Sequence, residues 1–493
     1  MTPLPFFERA GTPEQARRRV LLLSYHFPPD TAIGARRWEK LAHFVAARGW
    51  GLDVITCAPP EGYDAAKLDA LPGGVRVYGV PDAPLLIERV EDRVWRVYRR
   101  LRDRGRERRK AEREASGNAP SEGGGDEDRH GRPDMLDRAE LRWKLHTVRG
   151  VLRAFWVWLD FLHTQAWTRR AERVARAVVD PRTHFVVVTS GPPHQSHETG
   201  LAVARHAGLP FVMDMRDPWS LVERLPESMA SRLWVWLAER HERRVIADAT
   251  LVVANTDPAR DAMRALYPAA RERIVTVMNG SDDEPIPPPR RGHRFTIGYA
   301  GTIYVERDPR NLFRAAARVI RELGLTPDDF RIQFMGADRP GERPLSEVAR
   351  QEGIAEFVTT EPARPHAEAL EFLAGATMLV IFSGWSRLAI PAKLFECVRF
   401  DAWLLSLTEA GSGPDLLLRG TAASVVRPDD VDGIAAAIRA RVEEHRRGVQ
   451  PVRVAQDDRF SRAGQARLLL DALARFLPQD DAARPRSALA NRS

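Results

Sequence analysis

Short apolar runs recur along the chain, each ending in a small, proline-rich or polar loop and followed by a stretch of helical period. Arg19–Ser24 runs into the loop Tyr25–Gly34. Residues 35–48 then place Leu41, Phe44 and Val45 at helical spacing until Gly49 supplies a C-cap. Leu52–Thr56 and Val75–Val80 read as the next strands. Strand, helix, strand at this spacing predicts a parallel βαβ unit. The rhythm returns with strands at Phe185–Thr189, Pro210–Met213, Ala249–Ala254 and Ile274–Met278, and helices near 195–207 and 226–247. Asn279–Gly280 signals a turn.

Pro285–Arg291 holds four prolines and reads as a linker. Beyond it a second series begins, with strands at Phe295–Tyr299, Arg331–Phe334, Phe357–Thr359, Met378–Phe382, Trp403–Ser406 and Ala423–Val426. The pattern predicts an α/β chain of two doubly wound, Rossmann-like domains, 1–284 and 292–455, joined by the linker 285–291 and facing a central cleft. A last helical segment, 456–480, is expected to pack back on the first domain, and 481–493 reads as a disordered tail. Residues 85–175 break the rhythm as a basic helical insert, with a Gly-rich, acidic segment at about 115–134 that reads as disordered.

Composition narrows the classes. The 493 residues exceed one ordinary core. Cys57 and Cys397 are the only cysteines, which implies no disulfide framework and fits a reducing cytoplasm. Val20–Leu23 is too short for the core of a secretory signal, and no stretch reaches the roughly 18 apolar residues of a membrane span. The net charge of +8 is concentrated: residues 89–114 hold 12 Lys or Arg against 6 Asp or Glu, and residues 142–176 hold 8 against 2. The remainder is acidic, so the chain does not read as a nucleic-acid binder. Trp143, Trp156, Trp158 and Trp167 lie among the arginines of the second stretch. Both stretches are expected to rest on an anionic membrane surface, or else to bury Trp156 and Trp158 in the first domain.

Candidate chemistry clusters where strands end. Ile390–Cys397 follows an apolar run and a polar loop, so it reads as a helix start with Pro391 at the first helical position. Lys393 falls in the first turn, where the helix dipole disfavours a cation and a bound anion would reverse the sign. Glu396 lies three residues on, suited to sugar hydroxyls; an ordinary solvated Lys–Glu pair is the alternative. The loop Phe27–Arg36 brings Gly34 to a helix start but lacks a dinucleotide fingerprint. Ser190–His194 and Asp214–Trp219 each follow a strand, placing His194, Asp214, Arg216 and Asp217 where a doubly wound sheet binds ligands. A turn or capping role is open for His194 and Asp217. Tyr299–Tyr304 ends the first strand of the second half, with Gly301, Thr302 and Arg307 suited to phosphate.

In order, these segments, with Pro365–Glu368, resemble glycosyltransferase family 4, of GT-B architecture. The resemblance covers most of residues 18–475, less the insert at about 85–160. It implies a metal-independent, retaining hexosyl transfer from a nucleotide-sugar of UDP or GDP type, with no cofactor. It also implies that the donor lies mostly on the second domain and the acceptor on the first. A glycan or lipid-linked acceptor is expected, with cytoplasmic work in cell-envelope or exopolysaccharide assembly, peripheral to the inner membrane face. Gly34, Gly301, Thr302, Arg307, Lys393 and Glu396 would bind the donor; His194, Arg216 and Asp217 would form the catalytic set. The chain departs from the family's paired-Glu motif at Leu388, which stands where the first Glu would be. Thr302 stands where an arginine is usual, and Arg216–Asp217 replaces a His–Asp pair. A nucleotide-sugar epimerase of the same architecture, or a catalytically weak GT-B-like binding protein, are the alternatives.

Overall fold

The structure, a computed structural model, describes residues 3–30, 32–60, 62–82, 135–137, 148–217, 219–222, 224–226, 231–290, 292–303, 308–336, 344–383 and 386–478. The stretch 89–114, the segment 115–134, Trp143, Arg307 and the tail 481–493 lie outside them.

The first sheet has eight strands. From edge to edge they are β1 (Phe7–Glu8), β4 (Val75–Val80), β3 (Gly51–Cys57), β2 (Arg19–Ser24), β6 (His184–Gly191), β7 (Phe211–Met215), β9 (Leu251–Ala254) and β10 (Ile274–Thr276). β1 runs antiparallel to β4, and the other neighbours are parallel. Parallel strands are covered on both faces, so they read as unbroken apolar runs. Val20, Leu21 and Leu22 are accordingly fully buried. The second sheet has six parallel strands: β13 (Val358–Glu361), β12 (Phe330–Met335), β11 (Phe295–Ala300), β14 (Met378–Phe382), β15 (Trp403–Leu407) and β16 (Ser424–Val426).

Helix Arg462–Ala474 follows the second sheet in sequence but packs on the first. Its Ala466, Leu469, Leu470 and Leu473 share one core with Val20, Trp38 and Val253. The Gln465 side chain accepts a hydrogen bond from the Met278 amide at 2.7 Å, fixing the helix against the strand that leads to the linker.

Two elements differ from the sequence expectation. The helix anticipated near 226–247 begins only at Arg232, where the Ser231 hydroxyl accepts from the Trp234 amide as N-cap. Arg224–Pro226 instead forms strand β8, antiparallel to β5 (Met135–Asp137). The described residues of the second basic stretch lie on one helix, Val148–Val178. It buries Trp167 but leaves Trp156 and Trp158 exposed, so the first domain does not bury those two.

Both sheets reverse their order once. The chain winds β2, β3, β4 to one side and β6, β7, β9 to the other; it winds β11, β12, β13 and then β14, β15, β16 likewise. Adjacent strands whose connections diverge leave a crevice at their carboxyl ends, where such sheets bind ligands. The loops after β2 and β6, and after β11 and β14, flank those two switch points.

Candidate active site

The first-domain wall is built around Arg216, which follows β7 and is 8% exposed. Its Nε donates to the Gly191 carbonyl at 3.1 Å, its Nη2 to the Pro192 carbonyl at 2.5 Å, and its own carbonyl accepts from the Asn255 amide group at 2.8 Å. The guanidinium lies against Gly34 so closely that a Cβ there would overlap it. Gly34 is thus the seat of a cation. Burial lowers the Arg216 guanidinium from its ordinary value, while Asp214 and Asp217 oppose the shift.

Asp214 is held inside the wall. It is fully buried and accepts two bonds from Arg37 at 3.0 Å and one from Trp38 Nε1 at 2.8 Å. That bidentate pair pins helix Ile33–Ala47 on β7, so Asp214 positions the wall. Asp217 is exposed as a residue, yet surrounding protein raises its carboxyl, with Arg216 pulling the other way. The His194 ring stacks on Trp219 at 5.0 Å, and its Nδ1 has no hydrogen-bond partner among the described residues. Burial, then His197 and Arg216, hold the His194 imidazole well below its usual value. Burial thus favours the neutral form of the His194 ring.

The second-domain wall repeats the arrangement. Gly301 follows β11 with φ +111°, a conformation that favours glycine, and a Cβ there would overlap the Lys393 ammonium. Lys393 Nζ lies 4.8 Å from the Tyr299 ring centre and 3.5 Å from its hydroxyl. That hydroxyl donates to the Thr302 carbonyl at 3.0 Å, tying Thr302 into the same wall. Pro391 proves to be the cap of helix Ala392–Cys397 rather than its first residue, with Lys393 still in the first turn. Glu396, on the same helix, reaches His366 at 3.3 Å. The structure thus sends Lys393 and Glu396 to different neighbours. Arg307 lies outside the described residues.

The walls meet at Leu388 and Ala389. These two residues line a crevice with Met215, Arg216, Asp217 and Leu221 of the first domain. The Thr256 hydroxyl donates to the Leu388 carbonyl at 2.5 Å, and the Leu388 side chain packs on the first domain's core. Sequence reasoning missed Thr256, whose only visible signal was a Thr-Asp-Pro helix start, and His366, which sat unassigned in Pro365–Glu368. It also missed Lys40, which pairs with Glu284 at 2.8 Å, beside the His366 contact to the same carboxylate at 3.8 Å.

Residues 123–280 match the family described as a glycosyl transferase 4-like domain. Over 270 residues, half of this chain, the sequence is 30% identical to D-inositol 3-phosphate glycosyltransferase 1 of Catenulispora acidiphila. It is 28% identical over 205 residues, 38% of this chain, to D-inositol 3-phosphate glycosyltransferase of Thermobifida fusca. The fold superimposes on Anabaena HepE in complex with UDP at a TM-score of 0.57 and 12% identity, across 93% of this chain and all of that one. The architecture is that of the GT-B fold, and the sequence matches support a family 4 glycosyltransferase. The lipopolysaccharide outer core galactosyltransferase WaaB shares the architecture, with a TM-score of 0.55 and 12% identity over 93% of this chain and all of that one. The sequence matches span 62% and 46% of the two inositol phosphate enzymes, so they are matched over only part of their length and their substrates do not carry over.

Proposed function

We propose that the chain is a retaining glycosyltransferase that moves a hexose from a nucleoside-diphosphate sugar to a hydroxyl of a glycan or lipid-linked acceptor. The observation that carries this reading is a pair of cations lodged against glycines, Arg216 after β7 on Gly34 of helix Ile33–Ala47 and Lys393 of helix Ala392–Cys397 on Gly301 after β11. A departing nucleoside diphosphate gains negative charge as the sugar–oxygen bond breaks. Cations already seated cost no reorganisation at that moment, and losing one such group typically slows turnover about 100-fold or more. The two cations supply the charge that a metal ion supplies elsewhere, so we read the transfer as metal-independent. HepE is described with UDP, which supports a uridine donor. Glu396 faces the ribose hydroxyls, and His194 and Asp217 face the sugar and acceptor. The named activity of the two relatives supports a polyhydroxylated acceptor. We place the work in the cytoplasm, in cell-envelope or exopolysaccharide assembly.

The test is donor turnover together with thermal melts in UDP and GDP. Lys393→Ala should slow transfer by on the order of 100-fold with little change in donor affinity. Lys393→Gln, which keeps reach but not charge, should behave the same way. Glu396→Ala should weaken donor binding by about 0.5–3 kcal/mol, a smaller ligand-induced melting shift. Wild-type turnover and shift in all three variants would overturn the assignment, and donor binding without turnover in the wild-type chain would favour a binding protein.

A further inference from the structure

Helix Val148–Val178 is buried along one part and bare along another. Trp167, Ala171 and Ala175 are fully buried, whereas Phe155, Trp156 and Trp158 are 41%, 43% and 44% exposed. Trp236, 55% exposed, stands on helix Arg232–Asp248, which packs against it. The Phe155 ring touches those of Trp156 at 5.8 Å and Trp158 at 6.3 Å. Soluble surfaces seldom group large apolar rings without a function. By sequence Arg149 and Arg153 precede the bare rings on the same helix and Asp160 follows them, and the Arg240 guanidinium lies 5.5 Å from the Trp236 ring centre. Tryptophan beside arginine suits the headgroup level of a bilayer, where the ring finds an apolar side and the cation an anionic phosphate.

We infer that this face docks on an anionic lipid surface, with Phe155, Trp156, Trp158 and Trp236 seated among the headgroups. No helix of the described residues is long and apolar enough to cross a membrane, so the contact is interfacial. A second copy of the chain is the poorer occupant, because joining two such faces would press like charges together. The face is also connected to the cleft. Phe161 meets His241 at 5.1 Å, His241 meets Trp219 at 6.3 Å, and Trp219 stacks on His194 at 5.0 Å. One chain of packed rings thus runs from beside the bare patch to the first-domain wall. A bilayer-held acceptor would enter the site from that side; this last step rests on the proposed function, whereas the docking does not.

Co-sedimentation with phosphatidylcholine vesicles, with and without phosphatidylglycerol, tests the inference on the full chain. The wild-type chain should pellet with the mixed vesicles at low salt, less so at high salt, and weakly with phosphatidylcholine alone. W156A/W158A/W236A should lower partitioning by at least about tenfold. These side chains are exposed, so its melting temperature and its hydrolysis of a soluble donor should match wild type. Equal pelleting of triple variant and wild type, or no pelleting on anionic vesicles at low salt, would overturn the docking. So would a wild-type dimer in sedimentation equilibrium that the triple variant abolishes, since the patch would then be a copy interface. A chain that binds vesicles but never turns over donor would instead overturn the proposed function and leave the docking intact.

Discussion

A methyl group at position 34 would occupy the space of the Arg216 guanidinium. The sequence made Gly34 a candidate for letting backbone approach a phosphate; the structure makes it the seat of an arginine. Both readings begin from a missing side chain, and only coordinates show what fills the gap. Gly301 and Lys393 pose the same problem 92 residues apart in sequence, and no local pattern joins them. The candidate positions could be picked out because they lie in loops and helix starts that follow strands. Their partners were not, because partnership is tertiary. Leu388 was legible as an oddity, and its packing on the first domain gives that oddity a physical content. Gly34→Ala sets two effects against each other. Within helix Ile33–Ala47 alanine is the better residue by about 0.5–1 kcal/mol. The added carbon, however, must push Arg216 off the Gly191 and Pro192 carbonyls. Thermal melts should therefore stay close to wild type while turnover falls on the order of 100-fold. A variant with wild-type turnover would show that Arg216 works equally well when displaced.

Among the elements, the buried parallel strands were the most legible, since burial on two faces leaves an uninterrupted apolar run. The short pairs were not: β1 has two residues, and β5 and β8 have three each. Such pieces follow from a nearby edge rather than from their own pattern. Helix Ser196–Ala207 was legible, but what anchors it was not. His197 is fully buried on that helix, and its Nδ1 shares a 2.7 Å hydrogen bond with Thr189 of β6. Burial, and secondarily Arg216, depress its pKa to about 3. The unfolded chain, with an ordinary imidazole near 6.5, therefore binds more protons than the folded one between those values. Stability from this group is complete above about pH 6.5 and is lost as pH falls toward 3. At pH 5 the loss from this residue should be about 2 kcal/mol relative to neutral pH. Urea unfolding of wild type and His197→Asn, which keeps a partner for Thr189 but cannot protonate, should show that difference shrink in the variant. An unchanged acid dependence would place the sensitivity elsewhere.

For the whole molecule, two open sheets predicted a cleft, but the contacts that hold it came from the structure. The first domain completes its core with helix Arg462–Ala474, contributed from beyond the second sheet, so the chain crosses between domains twice. Near the linker, Lys40, Glu284, His366 and Glu396 bring polar side chains of the two domains together. Thr256 makes a direct bond to the second domain. Its hydroxyl caps helix Asp257–Leu266 by accepting from the Ala259 amide at 3.1 Å and donates its proton to the Leu388 carbonyl at 2.5 Å. The two roles can be separated. Serine retains both. Aspartate is as good an N-cap as threonine, but its carboxylate has no proton to give and repels the carbonyl. Thr256→Asp should thus melt within about 1 kcal/mol of wild type yet loosen the ligand-free cleft, raising the radius of gyration in small-angle scattering. Thr256→Ser should scatter as wild type. If the proposed function holds, a nucleoside diphosphate spanning Arg216 and Lys393 would favour the closed arrangement, so UDP should return the Asp variant to the wild-type radius with weaker apparent affinity. Identical ligand-free scattering from the Asp variant and wild type would show that the Leu388 carbonyl does not hold the two domains together.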